Sequence, residues 1–141
     1  MMRFAAFAAV LVLWCSAAHA DPCKAIPDKG PMPAWLSRGS VFTGPVRYVG
    51  DGDSLCVSAR PGPEGLVEVR LADFYAPELH EEGGEQAKEA LERIAMGKLA
   101  ACVAMHRSYD RVVATCIIEG RDVGEMMRRA GVAEGGNGYG R

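Results

Sequence analysis

No cysteine spacing in this chain fits a zinc site. No segment repeats, and no apolar run is long enough to span a bilayer. Positive charge is also short: lysine and arginine number 16 against 18 aspartates and glutamates, a net charge of −2. These absences exclude a zinc-ligating scaffold, a repeat array and a membrane-spanning helix. They also argue against a protein that holds nucleic acid by broad phosphate neutralisation, which needs clustered lysine and arginine. A small basic pocket remains compatible with them.

What is present begins with a leader. Arg3 supplies a positive start, an apolar run follows from Phe4 to Cys15, and Ala18-His19-Ala20 is a small-x-small cleavage site. Residues 1–20 are therefore expected to be a signal peptide, with the mature chain starting at Asp21 and exported to the periplasm or the medium. Trp14 before Cys15 does not match a lipoprotein processing site, which wants a small residue there. Losing Arg3 makes the mature chain one charge more acidic. Of the five cysteines, Cys15 goes with the leader. Cys23, Cys56, Cys102 and Cys116 remain, and an even number in an exported chain reads as two disulfides.

Residues 21–40 form a loop-like segment broken by Pro22, Pro27, Pro31 and Pro33, with Trp35 and Leu36 to tack it down. Strands are predicted over 41–49, 54–59 and 66–75, separated by turns at Gly50-Asp51-Gly52-Asp53 and across 60–65. A helix is predicted over 85–96, with Ala87, Ala90, Leu91 and Ile94 at helical spacing and Gly97 ending it. Two more strands, 99–105 and 111–118, flank a hairpin centred on Tyr109. That centre sets Cys102 opposite Cys116, close enough to bridge, and leaves Cys23 to pair with Cys56. Asp122 N-caps a short helix carrying Val123, Met126, Met127 and Ala130 and ending at Gly131. Residues 134–141, with Gly135, Gly136, Gly138 and Gly140, read as a flexible tail. Three strands, a helix, two strands and a helix predict an α+β, barrel-rich fold of the five-stranded OB type over residues 41–133.

The stretch Val69-Arg70-Leu71-Ala72-Asp73-Phe74-Tyr75-Ala76-Pro77-Glu78 organises the rest. It reads as the third strand, stopped by Pro77, which has no N–H for a ladder. Arg70 then lies mid-strand and Glu78 at its exit. A guanidinium forks onto phosphate oxygens and a carboxylate can take a proton from water. The plain alternative is an exposed salt bridge at a sheet edge.

Four blocks in order resemble the thermonuclease, or staphylococcal-nuclease-like, family. They are Asp51-Gly52-Asp53-Ser54-Leu55; Val69-Arg70-Leu71-Ala72 with Ala76-Pro77-Glu78; Tyr109-Asp110-Arg111-Val112-Val113-Ala114; and Gly120-Arg121-Asp122 leading to Arg129-Ala130-Gly131-Val132-Ala133. Together they span about 41–133. The resemblance implies an OB-type barrel that hydrolyses DNA and RNA phosphodiesters, commonly with calcium. It implies Glu78 as the group that activates water, Arg70 and Arg111 as the phosphate-binding arginines, and a 3′-phosphate product. It places a metal at Asp53 and the Ala76 backbone carbonyl.

The chain departs from the family in three places. Tyr75 stands where the second metal carboxylate belongs, and a phenol is a poor calcium ligand beside a carboxylate. Asp73, two residues back on the same face of the strand, and Asp51 are the expected partial substitutes. Asp110 replaces a glycine. After the Gly-x-Ala segment only the glycine-rich tail remains, where family members often continue into another helix. His80 and His106 lie near these blocks in sequence, and His80 reads as a solvated loop residue rather than a base. The expectation is an exported, monomeric phosphodiesterase acting on single-stranded DNA or RNA. The alternatives are a catalytically weak OB-type module that binds nucleic acid or a protein partner, and a structural domain in which Arg70, Glu78 and Arg111 do not converge.

Overall fold

Alternation of apolar and polar residues along five segments gives five strands that close on each other. The computed structural model describes residues 20–140; the expected signal peptide falls almost wholly outside them. The strands are β1 (Val41–Asp51), β2 (Ser54–Ser58), β3 (Leu66–Leu71), β4 (Leu99–Ser108) and β5 (Arg111–Ile118). β1 pairs with β2, β2 with β3, β1 with β4 and β4 with β5, all antiparallel. A parallel β3–β5 pairing closes the barrel. β1 serves both neighbours by bending: Val41–Pro45 pair with β4, and Val46–Asp51 with β2. Gly44 sits at that bend with its α-carbon against the Ser58 carbonyl, where any side chain would collide. A two-residue strand, β6 (Arg121–Asp122), adds to β5. The architecture is a closed five-stranded mixed barrel with two short helices, an α+β barrel of the OB type.

Val67, Val69 and Leu71 of β3 point inward and are fully buried, as are Val112, Ala114 and Cys116 of β5. The helix α1 (Gly84–Ala95) buries Ala87, Ala90, Leu91 and Ala95, and Gly97 leaves it with φ 74°. The helix α2 (Val123–Arg129) is capped by the Asp122 carboxylate, which accepts from the Glu125 N–H at 2.8 Å, and it buries Met127.

Both disulfides are present. Cys102 and Cys116 face each other across β4 and β5, their α-carbons 4.1 Å apart. The hairpin keeps its Tyr109-centred symmetry there, and a bulge after Ala104 shifts pairing by one nearer the tip. Cys23 bridges to Cys56. That explains why Leu55, Cys56 and Val57 are buried in succession on β2: the barrel covers two of them and the N-terminal segment covers the third. The same segment is held by Lys24 and Ala25 N–H groups on the Leu66 carbonyl, by Arg107 on the Pro27 and Gly30 carbonyls and by the burial of Leu36. Among the described residues no helix is long and apolar enough to cross a membrane.

Two expected strand ends move by three residues or more. The third strand stops at Leu71, not Tyr75, so Glu78 is delivered by an irregular segment rather than a strand exit. Ala72 still donates to the Ala114 carbonyl at 2.9 Å. Beyond it Phe74 turns inward and is completely buried, which two-residue alternation cannot provide. The fourth strand runs on to Ser108, because the bulge lets it follow β5 to the hairpin tip.

Candidate functional site

Arg70 and Arg111 reach one face because strand parity puts them there. Their inward neighbours Val69, Leu71 and Val112 fill the barrel, so both guanidiniums project outward from adjacent parallel strands. Arg70 is opposite Val113, and Arg111 lies two residues earlier on β5. Both line a cleft of about 530 Å³ with Tyr75, His106, Tyr109 and Asn137. Arg111 is steadied by an Nη1 bond to the Ser54 hydroxyl at 3.2 Å. The Arg70 guanidinium lies 4.8 Å over the Tyr75 ring, a cation–π contact.

Glu78 joins this group through Asn137. The Asn137 side-chain amide donates to Glu78 Oε1 at 3.0 Å, and its backbone carbonyl accepts from Arg70 Nη2 at 2.9 Å. The structure therefore brings Arg70, Glu78 and Arg111 to one side of the barrel. The segment expected to be a flexible tail lies across that side. His106 lines the cleft, whereas His80 is exposed in the loop before α1. Asp110 is exposed in the two-residue turn beside Arg111.

The acidic residues divide. Asp53 is buried, accepts the Ala76 N–H at 2.9 Å through Oδ2, and lies 3.7 Å from Arg70 Nη2. Asp51 accepts the Asp53 N–H at 3.0 Å. Burial pushes the Asp53 carboxyl up to about 6, with Asp51 adding to the rise and the Ala76 N–H and Arg70 opposing it. Burial likewise lifts Glu68, whose position on β3 is level with Arg111, to about 7, helped by Asp21 and Asp110. Carboxyls near both arginines thus hold their protons to higher pH than ordinary carboxylates do.

Asp73 is not brought to Asp53. Its carboxylate faces α2, where Gly124 leaves room for it, and lies beside the like-charged Asp122. The chain turns after Ala72, which breaks the same-face relation expected from an unbroken strand. The Ala76 carbonyl is covered by the backbone of Gly136. Calcium asks for six to eight oxygens, several of them charged. Asp51 and Asp53 supply two carboxylates, each already accepting a backbone N–H, and Asp53 also faces Arg70. As arranged, these donors do not fit a calcium ion. Among the described residues, the one group of three that could gather round a metal is Asp21, Cys23 and Cys56, and its two sulfurs are spent in a disulfide.

Asn137 is the site residue that sequence reasoning missed. It sits among glycines whose composition signals a linker, and nothing local marks it. Compared with known proteins, the chain matches no family model and no curated protein.

Proposed function

We propose that this protein is an exported phosphodiesterase that hydrolyses single-stranded nucleic acid. The observation that carries the reading is the convergence of Arg70 and Arg111 on one cleft, with Glu78 one residue's hydrogen bonds away from Arg70. Two disulfides favour an oxidising compartment. The resemblance of the four sequence blocks to the thermonuclease family supplies the reaction class.

In this mechanism the two guanidiniums fork onto the non-bridging oxygens of one phosphate. Glu78 takes a proton from a water as that water's oxygen attacks phosphorus. The bond to the 5′-oxygen breaks on the opposite side, and that oxygen takes a proton from solvent in the open cleft. The product keeps a 3′-phosphate. Arg70 and Arg111 act mainly on the charge that builds on the five-coordinate phosphorus. Ser54 holds Arg111 in place for that task. Tyr109, largely exposed at the hairpin tip, and Tyr75 offer faces on which unpaired bases stack.

Removing the proton acceptor tests the reading. Glu78→Gln should lower turnover of a single-stranded oligonucleotide by a factor of about 10² to 10⁴, the usual worth of general-base catalysis, with the melting midpoint unchanged. Equal turnover in both chains would defeat the assignment. A second reading, an OB-type binding module without turnover, draws on Tyr75 and on the engagement of Glu78 by Asn137. It predicts that both chains bind the oligonucleotide and neither cleaves it.

A further inference from the structure

We propose that the C-terminal segment from Glu134 to Gly140 is an autoinhibitory strap that competes with substrate for Arg70 and Glu78. The inference rests on reading those two side chains as the phosphate-facing and water-activating groups. Its evidence is the path of the strap. Glu134 Oε1 accepts from Arg128 Nη2 at 3.4 Å, and the Gly135 N–H donates to the Tyr75 carbonyl at 3.0 Å. Gly136 then lies on the Ala76 carbonyl, and Gly138 lies on Tyr75. Between them Asn137 turns both of its polar ends to the site. Tyr139 comes to rest 6.5 Å from the Tyr75 ring.

Each contact occupies a position the reaction needs. The Asn137 carbonyl takes the Arg70 Nη2 donor that a phosphate oxygen would take. The Asn137 amide donates to the carboxylate oxygen to which a water would donate. Neither bond can persist while a phosphodiester is held in line with Glu78. Glycine is required along this path for two reasons. Gly136, Gly138 and Gly140 all have φ near +80° to +90°, which side chains disfavour. A Cβ on Gly138 would stand 2.9 Å from Tyr75 Cε1, and one on Gly136 would collide with the Ala76 carbonyl oxygen.

The same glycines keep the strap displaceable. Ordering them costs more backbone entropy than ordering other residues, and Asn137 is exposed. A strap closed nine-tenths of the time lowers apparent affinity about tenfold.

The test compares the full chain with three variants: Gly136→Ala, Asn137→Ala, and a chain stopped after Gly135. Binding of a fluorescein-labelled ten-residue oligothymidylate is read by anisotropy, and cleavage of the same probe is followed separately. Gly136→Ala unseats the strap without shortening the chain, and Asn137→Ala leaves the backbone path intact. The expected result is tighter binding by about tenfold for Gly136→Ala and the shortened chain, less for Asn137→Ala. KM should fall with it while kcat stays within about twofold. Unchanged or weaker binding in all three variants, including no binding by any chain, overturns the strap. So does a fall in kcat on Asn137→Ala, which would make Asn137 a positioning residue for Glu78. Tighter binding without cleavage by any chain sinks the nuclease reading and leaves the strap standing. Equal cleavage and equal binding by all chains does the reverse.

Discussion

Asp73 Oδ1 is buried without a hydrogen-bond partner. Burial and the neighbouring Asp122 push the Asp73 carboxyl up to about 6. The site is two carboxylates beside the start of α2, and only Asp122 gains from the helix by capping it. A carboxyl raised in the folded state costs stability wherever it must ionise. That cost is full above about pH 6, shrinks as pH falls toward the ordinary value near 3.8, and is absent below it. Asp73→Asn keeps the shape and gives Asp122 a donor. The raw shift corresponds to about 3 kcal/mol, and solvent screening of a half-buried pair reduces the expectation to about 1 kcal/mol. Urea unfolding should therefore show Asp73→Asn more stable by that amount at pH 8, with the advantage fading between pH 6 and pH 4. A constant difference across that range would remove Asp73 as the titrating group.

At the level of elements, the β4–β5 hairpin is the best-specified part of the molecule. Its alternation, its turn at Tyr109 and its facing cysteines all agree, and Tyr109 adopts φ 58° to close it. The Cys102–Cys116 bridge closes a loop of 14 residues, for which the chain-entropy account gives about 3 kcal/mol. Replacing both cysteines by alanine should lower stability in urea by about that much while α1 and the Cys23–Cys56 bridge stay native. A loss below about 0.5 kcal/mol would mean that the hairpin is already ordered in the unfolded chain. The third strand shows the opposite case. Its alternation continues through Tyr75 in sequence, yet the ladder ends at Leu71. Phe74 finds more apolar surface inside than an edge position would offer, and the core wins over local period.

Closure of the barrel is a property of the whole molecule, and it determines what the surface can bind. Because β3 and β5 meet in parallel, two arginines far apart in sequence share a face of an otherwise acidic chain. Binding of a single-stranded oligonucleotide should then depend weakly on salt. With one phosphate held by both arginines, the plot of log K against log salt should have a slope of about −0.7. A slope steeper than about −4 would indicate a basic surface beyond Arg70 and Arg111. The β-strand and helix order, the Asp122 cap and the cysteine pairing were all legible in the residues, because each depends on neighbours within a few positions or on the symmetry of one hairpin. The end of β3, the turning of Asp73 toward α2 and the seating of residues 134–140 over Glu78 were not. Each is settled by contact between segments tens of residues apart, where burial of Phe74 or a fit against Ala76 and Tyr75 outweighs what local composition favours. A glycine-rich stretch reads as slack until the surface it lies on is known, and only the folded barrel provides that surface.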